Sequence, residues 1–301
     1  MHQIYNIKIV KTKFILTLLF LTSALFSQEK YDYYGTVVLN GDMHTIISYR
    51  LVFTVTNGIT NGYSVTDLGG PHETKNNIKG TYNSKTKEFI FKEEGVLYTK
   101  SPVNDDMFCF INFNGKVKLI NQNSKIEGDF KGLFKNKQKC IDGKLILIGS
   151  DNLYKKLNKL NDRIQKTNRI STEVKAKANP VALLDSLKVN KLIKEQTLTI
   201  FAESKKVDLE IWDNGKEDGD IINVFQNDEL ILRNYAVSTK KKVITVNLAK
   251  KNVFKIVAVN EGTIAPNTAM IRLIDGDRTF EVLSDLKKNE SASITILKRD
   301  Q

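Results

Sequence analysis

From residue 30 onward the chain is written largely in short runs that alternate apolar and polar residues, broken by Asn-Gly and Asp-Gly pairs. A period of two with turn residues at short intervals restricts the fold to antiparallel sheet and leaves little room for long helices. Between residues 30 and 150 the runs are "YDYYGTVVLN", "IISYRLVFTVTNG", "NGYSVTDLGG", "NIKGTYN", "KEFIFKE", "FCFINFNGKVKLI", "KIEGDFKGLF" and "GKLILIG". Asn40-Gly41, Asn57-Gly58 and Asn114-Gly115 are the turn signals among them, as a meander requires. A short motif recurs in Ile78-Lys79-Gly80-Thr81-Tyr82, Ile126-Glu127-Gly128-Asp129-Phe130 and Ile141-Asp142-Gly143-Lys144-Leu145. Each places Ile, Gly and a large apolar residue on one face, and the glycine lets a tightly curving sheet bend. Eight such runs predict a mainly β chain whose residues 29 to 150 form an antiparallel barrel-like domain, with a sandwich as the alternative.

Residues 151 to 200 read as a helical connector. The stretch 152 to 178 holds no Gly or Pro, and Leu153, Leu157, Leu160 and Ile164 step by helical intervals along one seam. Asp151 or Asn152 is placed to cap its start, and Asn179-Pro180 to stop it. Its outer face is strongly basic, from Lys155 through Arg163 and Arg169 to Lys177. That face suits a solvated connector, a helical partner or an anionic envelope surface. Residues 181 to 200 read as a short helix running into a strand.

Residues 201 to 301 return to strands: "VDLEIW", "IINVFQ", "ELILRN", "KVITVNL", "NVFKIVAVN", "TAMIRLI", "TFEVLS" and "SASITIL". Val207, Leu209 and Ile211 alternate with Asp208 and Glu210, so that strand has one wet face. "VFKIVAVN" is apolar on both faces and belongs in the middle of a sheet. With turns at Asn227-Asp228 and Asp275-Gly276, the region predicts a C-terminal β-sandwich of seven or eight strands.

Residues 1 to 27 carry Lys8, Lys11 and Lys13, no acid, and an apolar run from Phe14 to Phe26. This is the pattern of a cleaved signal peptide, too short to serve as a spanning anchor. Ser27 precedes the expected cut at Gln28. No Cys near that cut offers a lipid attachment point, and no later segment is apolar enough to span a membrane as a helix. Removing the three lysines lowers the formal charge from +12 to +9, which favours acidic partners, and export argues against nucleic acid. Cys109 and Cys140 form an even pair in an oxidising compartment, so a disulfide is expected. A catalytic thiol would want a His base, and only His44 and His72 follow the signal segment.

No stretch names a reaction. The densest acidic cluster is "DNGKEDGD" at residues 213 to 220, where Asp213, Asp218 and Asp220 leave two readings open. They can supply oxygens to calcium, although the spacing is not that of an EF-hand. They can also cap the backbone of a polar turn, for which Asn214-Gly215 and Asp218-Gly219 are suited. "GGPHETK" places His72 beside Glu73 in a loop, with too few other His or Cys residues for zinc. Neither a nucleophile elbow nor a phosphate loop is present. Tyr31, Tyr33, Tyr34, Tyr49, Tyr63 and Tyr82 suit either a barrel core or sugar stacking.

Over "IWDNGKEDGDIINVFQNDELILRNY" and "KIVAVNEGTIAPNTAMIRLIDGDRTFEVLSDLK" the chain resembles a small β-sandwich module of exported Bacteroidetes proteins. The landmarks are Trp212-Asp213, Asp218-Gly219-Asp220, Asn260-Glu261-Gly262 and Pro266-Asn267-Thr268-Ala269. "ISYRLVF", "GPHETK" and "YTKSPV" look like parts of a two-domain exported protein of flavobacteria. The resemblance implies envelope localisation and domain order and carries no activity. The resulting expectation is a non-enzymatic envelope binding or scaffolding protein, periplasmic or associated with the outer membrane, whose partner is an envelope protein or an anionic glycan such as peptidoglycan. A barrel carrying a small apolar ligand is the alternative, and an envelope hydrolase, with acids or His converging from separate strands, is the third.

Overall fold

The computed structural model describes residues 30–41, 45–119 and 123–299, so residues 1 to 27, read above as a signal peptide, and His44 lie outside the described residues. Eight strands follow one another in chain order: β1 (Lys30–Leu39), β2 (Ile46–Thr56), β3 (Ile59–Thr66), β4 (Thr74–Asn83), β5 (Glu88–Thr99), β6 (Phe110–Lys116), β7 (Lys125–Leu133) and β8 (Gly143–Gly149). Each pairs antiparallel with the next, and β8 returns to β1 with Tyr34 opposite Ile148, which closes the barrel. The turn at Asn57-Gly58 holds both residues at positive φ, the hairpin geometry expected of that pair. Asn114-Gly115 differs: it lies inside β6, opposite Ile90 and Phe89, because pairing with β5 outweighs the local turn preference.

The alternation fills the barrel. Tyr33, Tyr49, Leu51, Phe53, Ile78, Phe89, Phe91, Phe113, Ile126, Leu145 and Leu147 are buried in one cluster. Phe53 stands at its centre, stacked on Tyr31 at 5.2 Å, Tyr33 at 5.9 Å and Phe89 at 5.0 Å. Gly80 points the same way as Ile78, and a Cβ there would come within 2.0 Å of the Ile90 carbonyl oxygen, so the strands approach where a side chain would hold them apart.

The remaining strands are β9 (Lys191–Leu192), β10 (Thr197–Ala202), β11 (Lys206–Trp212), β12 (Ile221–Gln226), β13 (Glu229–Ala236), β14 (Lys242–Asn247), β15 (Lys251–Ala258), β16 (Asn267–Asp275), β17 (Arg278–Leu286) and β18 (Ser291–Lys298). They stack as two five-stranded layers, β13-β12-β15-β18-β10 and β14-β11-β16-β17-β9. The inner faces share a core that includes Leu209, Ile211, Phe254, Ile256, Ile271 and Val282. Two of these ten strands, β9 and β10, come from the stretch read as connector, where β9 pairs parallel with β17 and β10 parallel with β18.

One strand joins the barrel to the sandwich. The first half of β5 pairs with β6 inside the barrel, whereas Tyr98 and Thr99 pair with Ile200 and Thr199 of β10. Between the halves, Gly95 adopts φ +126°, a conformation that side chains disfavour, and the strand changes direction there. The Arg299 guanidinium donates to the Val96 carbonyl at 2.5 Å and lies over Phe201, so the end of the chain clamps this bend.

The connector is three helices, α1 (Ser150–Lys166), α2 (Thr172–Lys177) and α3 (Pro180–Ser186); the first two stand in place of a single helix over 152 to 178, and the third is the short helix expected after it. The seam is only partly covered, with Leu160 46% exposed, so packing does not hold the helix through Thr167. Gly149 rather than Asp151 or Asn152 occupies the N-cap of α1, and Asn179 caps α3, its side chain accepting from Val181 and Ala182. The Cys109–Cys140 disulfide is formed, with Cα atoms 6.0 Å apart, and ties the entry of β6 to the segment between β7 and β8.

Candidate functional site

Where barrel and sandwich meet, a cleft of about 490 Å³ opens between β2, β3, β4 and β5 on one side and β16, β17 and residues 187–190 on the other. Strand alternation decides what it displays. In β4, Thr74, Asn76 and Ile78 turn inward, so Lys75 turns out of the barrel into the cleft. Its ammonium lies 3.9 Å from the Tyr63 ring centroid and 6.0 Å from that of Tyr98. Burial pulls the Lys75 pKa down to about 8, and nearby Arg50 pushes the same way.

The other charges of the cleft are committed. Arg50 makes a two-pronged contact with Asp32, at 3.0 Å through Nε and 2.9 Å through Nη2, and its guanidinium rests on Tyr34. Glu73 is 2% exposed. It accepts from the Tyr98 hydroxyl at 2.8 Å and from the Gly69 amide at 2.7 Å. Burial and the Glu73 charge both raise the Tyr98 pKa, so its proton stays on the hydroxyl. Lys188 contacts Asp185 at 3.0 Å and also bonds Tyr154. Lys75 is the exception: no carboxylate among the described residues stands within ion-pair distance of it. The cleft therefore offers a cation held in no ion pair, with only the longer-range charge of Glu73 opposing the effect of burial, flanked by tyrosine rings.

Two of the other hollows are less selective. About 710 Å³ lies over the outer wall of β3 to β7, lined by Ile59, Ile90, Asn112 and Lys131. At one end of the barrel a pocket of about 220 Å³ reaches down to Glu93, whose carboxylate accepts from Tyr49, Ser64 and the Ile111 amide. Burial raises the Glu93 pKa. Because aromatic rings fill the middle of the barrel, this end pocket is the space left inside for a ligand.

The "DNGKEDGD" segment joins β11 to β12, and its acids cap backbone amides as a polar turn does. Asp213 Oδ1 accepts from Gly215, Glu217 from Thr239, Asp218 Oδ2 from Ile264 and Asp220 Oδ2 from Thr268. Asp213, Asp218 and Asp220 are not brought together as a metal-holding trio among the described residues. Burial lifts the Asp220 pKa to about 6, with the Asp218 and Asp213 charges acting in the same direction. Asn214 from this segment lines the junction cleft.

The sequence reading placed Glu73 in a surface loop beside His72. Only His72 is exposed, while Glu73 turns under the loop into the cleft. Arg50, Glu73, Lys75 and Tyr98 all fall within "ISYRLVF", "GPHETK" and "YTKSPV", the three first-half stretches quoted above for their likeness to an exported protein. Comparison with protein-family models, curated proteins and solved structures gives no match. The class of protein is therefore defined by its architecture, an eight-stranded barrel joined through β5 to a second, two-layered β unit.

Proposed function

We propose that this is an exported, non-enzymatic binding protein of the cell envelope that takes an anionic glycan, peptidoglycan included, into the junction cleft. The observation that carries the reading is Lys75. A partly buried cation held in no ion pair is unfavourable for the free protein, and an incoming carboxylate lowers that penalty. Tyr63 and Tyr98 supply ring faces of the kind sugars stack on, and Arg50, fixed by Asp32, adds a second positive group. The signal pattern of residues 1 to 27 and the likeness of the C-terminal half to Bacteroidetes envelope modules support the export part of the reading. The basic faces of α1 and α2 favour the same anionic surroundings.

The test is calorimetric titration of the purified protein with soluble peptidoglycan fragments and with neutral oligosaccharides of matched length. The expected result is saturable binding of the acidic fragments that Lys75→Met abolishes. Equal binding of neutral and acidic sugars, or no binding of either, would defeat the proposal.

A further inference from the structure

Three oxygens near the far end of the 213–220 segment are left over once the turn contacts are counted. Asp218 and Asp220 use their Oδ2 atoms on the Ile264 and Thr268 amides, and Asn267 gives its amide hydrogens to the Ile221 and Asn260 carbonyls. Oδ1 of each of the three is buried and meets no donor. Asp220 is 1% exposed and Asn267 0% exposed, so bulk water does not serve these atoms. Buried acceptors are ordinarily satisfied, and three orphans in one neighbourhood call for a positively charged or donating guest.

They share a neighbourhood because two loops dock there. Asn260 accepts from the Ile221 amide and donates to the Gly219 carbonyl, while the Thr263 amide donates to the Asp218 carbonyl. Gly262 lies so close that a Cβ on it would sit 2.7 Å from Asp218 Oδ1. Thr268, which Asp220 accepts from, follows Asn267 directly.

We infer that Asp218, Asp220 and Asn267, where the 213–220 segment docks on the 259–268 segment, hold a calcium ion through their three Oδ1 atoms. An all-oxygen set with two carboxylates selects a hard cation over zinc or copper. Irregular loops suit calcium, which takes six to eight oxygens in flexible geometry and can complete its shell with carbonyls and water, whereas magnesium demands a near-ideal octahedron. Asp213 is not counted in this set, since neither of its oxygens is among the buried acceptors left without a donor. This site is separate from the glycan reading of the cleft and stands or falls without it.

The experiment uses the purified protein, stripped with a chelator and titrated with calcium chloride in a calorimeter, alongside melting curves. One saturable binding event is expected, with the melting temperature raised by roughly 5 to 10 °C at a hundredfold excess over the dissociation constant. Magnesium chloride should give a smaller rise. Asp220→Asn, close in shape, should remove both signals, while Asp277→Asn, at the opposite end of β16, should keep them. If Asp220→Asn fails to fold, Asp218→Asn, a less buried position, is used instead. Three results would overturn the inference: no heat and no shift with calcium, calcium binding that survives Asp220→Asn or Asp218→Asn, or stabilisation by mild acid alone, which would mean that protons rather than a cation satisfy the oxygens.

Discussion

Lys75→Met should strengthen the fold at neutral pH while removing binding, a combination that a merely structural lysine would not produce. The Lys75 pKa falls from an ordinary 10.5 to about 8 in the folded protein. At about 1.4 kcal/mol per unit, keeping the charge in the cleft destabilises the folded state by about 3 kcal/mol. The Tyr63 ring face returns about 1 kcal/mol of that, leaving a net gain of about 2 kcal/mol for methionine at pH 7. Because this pKa is depressed on folding, the unfolded chain holds the proton more tightly, and wild-type stability rises with pH between 8 and 10.5. Below pH 8 both states are charged and the penalty is complete. Above it the folded lysine gives up its proton, and the advantage of the variant should shrink to about 0.8 kcal/mol by pH 10. Urea unfolding of both proteins at pH 7 and pH 10 measures the two gaps, and taking the difference between proteins cancels other groups that titrate in this range. A variant less stable than wild type at pH 7, or a gap of equal size at both pH values, would refute the reasoning.

Further outcomes follow from the barrel. Replacing Cys109 and Cys140 by serine opens a loop with a sequence separation of 31 and should lower stability by about 3 to 4 kcal/mol. A urea midpoint equal to that of the oxidised wild type would contradict this. Gly80→Ala forces a Cβ toward the Ile90 carbonyl at 2.0 Å, and because the atoms it meets are all β5 backbone the strands must separate, costing about 3 kcal/mol. An unchanged thermal melt followed by circular dichroism would count against so close an approach. Phe53→Ala, at the centre of the ring stack, should cost about 3 to 5 kcal/mol, and a loss below about 1 kcal/mol would show that the barrel interior is loosely packed.

Much of the architecture is legible before any coordinates. Alternation along "YDYYGTVVLN" and "VDLEIW" fixes which side chains go inward, because successive side chains of a strand must face opposite ways. Asn57-Gly58 marks a hairpin because two consecutive residues there need positive φ. The likelihood of a bond between Cys109 and Cys140 follows from their being the only two cysteines. Local signals mislead where a neighbour outweighs them. Asn114-Gly115 reads as a turn but is held in β6 by its pairing with β5, and the helix begun along the seam from Leu153 to Ile164 ends at Lys166, where that seam has run out.

The sequence by itself determined that this chain is mainly β, that its first half is an antiparallel barrel or sandwich, and that the acids of "DNGKEDGD" occupy a loop between strands. These properties depend on neighbours a few residues apart, and periodicity and turn chemistry record them. Only the tertiary structure decided what those strands bring together. The pairing of β5 with β10 past Gly95 carries Lys75 and Tyr98 to the sandwich, and the docking of two loops sets Asn267 beside Asp220. Contacts between residues dozens of positions apart depend on how whole sheets pack, and no local pattern in the chain encodes them.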